Sequence, residues 1–127
     1  MRFGTTSDRL GRAGEIDRAY RDGEVICKEG DPGREMFVIR SGHVLVRRRG
    51  EDVVRLGRGD VFGEMSLLES LPRDADAIAD GDTEVLVLGP GALTARLRRD
   101  PTFALELLQT LSKRVRTLND RLGDQCS

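Results

Sequence analysis

The chain has 127 residues, with 21 Lys plus Arg against 22 Asp plus Glu, one His, two Cys and a formal net charge of −1. That length suits one compact domain whose core needs neither a metal nor disulfides. Near-neutral charge gives no electrostatic case for direct DNA binding or for coating an anionic membrane, and no stretch has the apolar length of a signal peptide or membrane span, so a cytoplasmic protein is expected.

Residues 1–21 read as a short N-terminal segment. From Asp22 to Arg99 short β-branched or alternating runs are cut by glycine, the mark of a small β-sandwich or barrel. "EVICKEG" opens it. Met36 to Ile39 and Val44 to Val46 follow as two strands, and Ser41–Gly42 between them suit a tight hairpin turn because glycine tolerates positive φ. Val53, Val54 and Leu56 form another run before Gly57 and Gly59. "EMSLLE" can form a single helical turn, and "DAIAD" and "TEVLVLG" give two strands around an Asp-Gly-Asp turn at 80–82.

Asp100 and Pro101 are helix-starting residues, and neither Pro nor Gly recurs until Gly123, which predicts a helix over 100–122, about 30 Å long, before a tail at 123–127. Leu108, Leu111, Val115, Leu118 and Leu122 recur three and four apart as in a coiled-coil seam, whereas Phe103, Ala104 and Leu107 are placed to cover the barrel. A homodimer through this helix is expected, with packing inside the monomer as the alternative.

"GDVFGEMSLLESLPRDADA", Gly59 to Ala77, sets a glycine and a carboxylate side by side at Gly63 and Glu64 and an arginine ten residues after Gly63. Gly63 permits close backbone approach, and the early N–H groups of a helical turn at 64–69 suit an anion. Arg73 carries a fork that can hold two phosphate oxygens, while Glu64 only accepts hydrogen bonds and suits sugar hydroxyls. Direct pairing of Glu64 with Arg73 satisfies the same spacing.

This stretch resembles the phosphate-binding cassette of the cyclic nucleotide-binding domain family: Phe-Gly-Glu, small and aliphatic residues, then Pro-Arg, a small residue and Ala. "GEVICKEGDPGREMFVIRSGHVLV" is similar to the family's first strands, and "DPTFALELLQTLSKRVRTLNDRL" to its C-terminal helix. The resemblance implies a mainly β fold with α, a double-stranded β-helix (jelly-roll) barrel with its cassette at 62–75 and a long C-terminal helix. It implies a ligand site at Phe62, Gly63, Glu64, Met65, Ser66, Arg73, Asp74 and Ala75. In that site Glu64 takes the ribose 2′-hydroxyl, amides near Gly63 and Ser66 join Arg73 on the cyclic phosphate, and Ala75 lies against the nucleotide. Arg114, Val115, Leu118 and Asn119 on the final helix are expected to cap the base, and their types do not choose adenine over guanine. Asp74 stands where the family usually has Ser, Thr or Ala, and its charge beside a phosphate is expected to weaken binding. Ser70 replaces a common glycine, and the helical piece that usually precedes the family's barrel is expected to be short in "SDRLGRAGEIDRAY".

The single histidine, His43, reads as a turn or strand residue, and with it no metal cluster or nucleophilic triad is expected. "RRR" at 47–49, followed by Glu51 and Asp52, reads as a solvated hairpin end. Cys27 and Cys126 are expected to be reduced thiols. The expected function is therefore non-enzymatic and cofactor-free: binding of a cyclic mononucleotide, cAMP by family frequency with cGMP as the other choice, reported through the last helix to an unidentified output. The alternative is a degenerate domain serving as a scaffold or dimerisation module without ligand.

Overall fold

The computed structural model describes residues 7–10 and 14–126. The chain divides into two compact units, Met1–Ala95 and Arg96–Ser127. The first holds an antiparallel jelly-roll sheet of seven strands: β1 (Ser7–Leu10), β2 (Ile16–Tyr20), β3 (Val25–Cys27), β4 (Met36–Arg48), β5 (Glu51–Leu56), β6 (Val61–Phe62) and β7 (Asp76–Leu88). Their order is β1-β2-β7-β4-β5, with β3 also on β7 and β6 also on β4. A six-residue helix, α1 (Glu64–Glu69), lies between β6 and β7.

The hairpin expected at Ser41–Gly42 and the turn at 80–82 are not chain reversals. Both lie inside single 13-residue strands, β4 and β7, which pair with each other from Met36↔Leu88 to Arg47↔Asp76. The register slips between Ile39 and Ser41 and again between Ser41 and His43, so the two strands bend together at facing bulges. Gly42 and Gly81 both have φ of 82°. Thr83 Oγ1 secures the corner by donating to the carbonyl of His43 (2.9 Å) or of Gly81 (3.0 Å), and a Cβ on Gly42 would run into Asp82 and Thr83. Glycine between two apolar runs marks positive φ, which a bulge uses as readily as a hairpin. The true reversal is Arg49–Gly50, with φ of 54° and 79°, joining β4 to β5 where the arginine run was expected to cap a hairpin.

The sheet also begins earlier than Asp22. Instead of a helical piece, Ile16–Tyr20 pairs with Val87–Thr83, and Tyr20 joins the core with Phe37, Ile39, Val44, Phe62, Ala77, Ala79, Val85 and Val87. Ile16 and Tyr20 share one face, and pairing with the long β7 decides the segment for strand. Phe37 and Phe62 stack at 4.8 Å between centroids with 16° between planes, directly across the β4–β6 ladder. Truncating Phe37 would cost about 3–5 kcal/mol of stability. The first residues of β7 and those before it alternate strictly: Ala75, Ala77 and Ala79 are buried, while Asp74, Asp76 and Asp80 take the other face.

Two further helices depart from expectation. Residues Pro90–Arg99, left without a helix above, form α2, with Ala92 and Leu93 buried. Pro at its first position and an initial Gly-Ala-Leu mask the signal, although Pro is favoured there. α3 (Pro101–Cys126) runs past Gly123, so the expected end at Leu122 and tail at 123–127 give way to 26 residues of helix. One glycine in a helix costs only about 1 kcal/mol and does not by itself end one.

In the second unit, Asp100 Oδ1 accepts the Phe103 N–H at 3.0 Å and caps α3, and its Oδ2 sits 3.4 Å from Arg96 Nε. Arg96 lies over the buried Phe103 ring at 4.9 Å. Along α3, Leu108 and Val115 are 64% and 56% exposed and Leu111 is half-buried, so this stripe keeps an open apolar edge. The side chains of Leu118 and Leu122 lie outside the described residues.

Candidate functional site

The cassette starts where β6 ends. Gly63 caps α1 in the left-handed region, φ 79° and ψ 5°, which sets Glu64 as the helix's first residue. A side chain at 63 would be strained by its φ and would also meet Arg73 Nη1 at 2.7 Å, the Glu35 carbonyl at 3.1 Å and the Phe37 ring at 3.2 Å. Glycine is therefore required twice over. α1 ends at Ser70, itself left-handed at φ 56°, in the place where a glycine was noted as the commoner choice.

Arg73 is the centre of the site. It is 7% exposed, and its Nη1 donates to the carbonyls of Glu35 (2.7 Å) and Gly63 (3.3 Å) while the guanidinium lies over the Phe37 ring at 5.3 Å. Gly33 lies flush against the other side, where a Cβ would collide with Nε, Cζ and Nη2. The backbone is clasped as well: Gly30 N–H donates to the Arg73 carbonyl (2.8 Å) and Arg73 N–H to the Asp31 carbonyl (2.9 Å). Among the described residues no carboxylate pairs with the guanidinium, so the Glu64–Arg73 pair considered above does not form. Nε and Nη2 donate to no acceptor among those residues. A planar pair of donors left over is suited to a bidentate oxyanion.

The other cassette residues fall around this centre. Phe62, Ser66 and Ala75 are buried, Gly63 and Glu64 half-buried, and Met65 is 40% exposed. Asp74 is exposed, and its carboxylate is turned onto Arg48: Arg48 Nη2 donates to Oδ2 at 3.1 Å and Nε to the Asp74 carbonyl at 3.1 Å. The Asp74 carboxylate therefore has a cationic partner in Arg48. Asp76 faces outward and accepts the Glu29 N–H at 2.7 Å, tying the 28–33 loop to the start of β7. Arg114, Val115 and Asn119 lie on α3 in the second unit, half-buried, exposed and exposed, and the Leu118 side chain is outside the described residues.

Sequence reasoning missed the loop that grips Arg73. Asp31-Pro32-Gly33 carried a turn signal, but nothing local says that the missing Gly33 side chain makes room for a guanidinium 40 positions on. Cys27, on β3 beside this loop, has its thiol pushed up from 9.0 to about 11, mainly by burial, with Arg73 and a bond from the Ala77 backbone opposing and Asp74 and Asp76 adding to the rise. It is a free, inert thiol at neutral pH. Among the described residues no group of three or more His, Cys, Asp or Glu could hold a metal ion, and no helix is long and apolar enough to cross a membrane.

The site thus brings together a bent antiparallel barrel, a short helix capped by a left-handed glycine and an arginine buried behind it. The profile of the cyclic nucleotide-binding domain matches residues 17–100, and the chain belongs to that family. It is 38% identical over 104 residues to the cyclic AMP receptor protein of Thermus thermophilus, covering 78% of this chain and 48% of that one. It is 40% identical over 73 residues to a cAMP-dependent protein kinase regulatory subunit of Hypocrea atroviridis, covering 58% of this chain and 16% of that one. The solved Thermus thermophilus catabolite activator protein superposes with a TM-score of 0.74 at 36% identity, over 87% of this chain and 54% of that one. The chain thus spans about half of its bacterial relative and far less of the fungal one.

Proposed function

We propose that this domain binds a cyclic mononucleotide, cAMP in the first instance, and acts as a cytoplasmic regulatory sensor rather than an enzyme. The observation that carries the reading is the buried Arg73, held by two carbonyls, unpaired with any described carboxylate and keeping Nε and Nη2 for an oxyanion. On this reading the cyclic phosphate meets Arg73 and the first amides of α1 between Gly63 and Ser66, Glu64 accepts from the ribose 2′-hydroxyl, and Phe62, Met65, Asp74 and Ala75 complete the lining. cAMP precedes cGMP because the relatives at 38% and 40% identity carry cAMP in their names. Arg114, Val115, Leu118 and Asn119 supply the base cap, and the apolar stripe of α3 carries occupancy to a second copy or to an output protein. Direct DNA binding is not part of this reading, and the basic run 47–49 does not stand alone: Arg47 and Arg48 are each paired with an aspartate. The free Cys27 thiol fits a reducing compartment.

A second reading, a ligand-free scaffold, has one observation in its favour: the Asp74 carboxylate next to Arg73. Thermal denaturation separates the two. A ligand that binds only the folded chain stabilises it by about 2.7 kcal/mol at a hundredfold excess over Kd, so cAMP raises Tm by several degrees. An unmoved Tm at millimolar cAMP and cGMP selects the scaffold.

A further inference from the structure

The β4–β7 ladder ends at Arg47↔Asp76, and the next residue of β4, Arg48, reaches Asp74. Arg48 grips that residue twice, through the carboxylate and through the main-chain carbonyl. Its neighbours are engaged elsewhere: Arg47 with Asp52 at 2.8 Å, Asp76 with the Glu29 N–H, and Glu29 Oε1 with the Arg49 N–H at 2.9 Å. The one carboxylate adjacent in sequence to Arg73 is therefore served by one cation, contributed from the last residue of β4.

We propose that Arg48 is a positioning residue for nucleotide binding, which turns the Asp74 carboxylate away from the phosphate position and offsets its charge, so that an aspartate beside Arg73 is compatible with an anionic ligand. This rests on the function proposed above. Two requirements meet in Arg48: the carboxylate oxygen must be directed along the outer face of the sheet, and a positive charge must stay beside it. A forked guanidinium bound to both the carbonyl and the carboxylate of one residue satisfies both, because its two donors fix the side chain's direction as well as its charge. Without Arg48 the carboxylate is free to rotate towards Arg73, where it competes with the ligand for Nε and Nη2 and repels it.

Calorimetric titration of the full chain with cAMP, on wild type, Arg48→Gln, Arg48→Lys, Asp74→Asn and the Arg48→Gln/Asp74→Asn double variant, tests this. Half-exposed pairs of this kind are modest, so Arg48→Gln weakens cAMP about three- to fivefold at low salt, less at high salt. Arg48→Lys recovers most of the loss, and in the Asp74→Asn background Arg48→Gln changes affinity by less than about twofold. An equal loss in both backgrounds means Arg48 acts on the ligand or the fold and overturns the proposal, as does an Arg48→Gln affinity equal to wild type. A folded wild type that binds neither cAMP nor cGMP overturns the functional reading and this inference together.

Discussion

Replacing Gly33 by alanine adds one methyl group at the most crowded point of the site. Its backbone is not left-handed, so the substitution carries no conformational strain of its own, and whatever follows comes from the collision with the Arg73 guanidinium. That group cannot retreat freely. Nη1 is bonded to Glu35 and Gly63, the Phe37 ring lies against it, and Gly63 closes the far side. Overpacking of this kind costs about 1–3 kcal/mol of stability. At about 3–6 °C per kcal/mol for a domain of this size, Tm falls by roughly 3–18 °C. The larger effect is on binding: a guanidinium pushed off its carbonyls no longer presents Nε and Nη2, and losing such a contact costs about 2–5 kcal/mol, or about 30-fold at the least. Calorimetry with cAMP and thermal denaturation read the two effects separately. Adding Arg73→Ala to Gly33→Ala removes the clash and returns part of the lost Tm without returning binding. If Gly33→Ala binds cAMP as tightly as wild type, the guanidinium does not need its observed seat and the steric argument is refuted.

Two other expectations concern Cys27 and α3. With its folded pKa raised from 9.0 to about 11, the Cys27 thiol carries about a hundredfold less thiolate below pH 9 than an unperturbed one, so thiol reagents label native protein about that much more slowly than unfolded protein. Because the folded state keeps this proton longer, the associated stability is whole below pH 9 and about 2–3 kcal/mol of it is lost as pH rises to 11; denaturant titration across that window shows a decline that Cys27→Ala removes. Leu108 and Val115, 64% and 56% exposed, form the apolar edge proposed as a dimer seam. Leu108→Glu with Val115→Glu converts a sedimenting dimer to monomer with the barrel still folded, whereas a wild type that already sediments as monomer assigns the stripe to another partner.

How legible this was from sequence varied with the range of the interaction that decides it. The helical turn of the cassette was readable because it is local: Gly63, Glu64 and the residues through Glu69 lie in one contiguous run. The bends at Gly42 and Gly81 were misjudged as reversals because positive φ is visible in sequence and the partner strand is not; only the shared β4–β7 ladder shows that both chains continue. Ile16–Tyr20 was missed for the same reason, its strand state being set by β7 some 65 positions later. Arg48 was read as part of a solvated basic run, which holds for its exposure but conceals the bond to Asp74, 26 residues away. Gly33 carries no side chain to attract notice, and its role is defined by what it leaves room for.

The central claim is that Arg73 holds an anionic ligand, and titration of cAMP into purified wild type and Arg73→Ala, both shown folded by circular dichroism, tests it most directly. The account predicts saturable one-site binding to wild type at micromolar or tighter Kd, and no measurable heat from Arg73→Ala, because about 2–5 kcal/mol is lost with the guanidinium. Equal affinities in the two proteins, or no binding to wild type by either cAMP or cGMP, would contradict it.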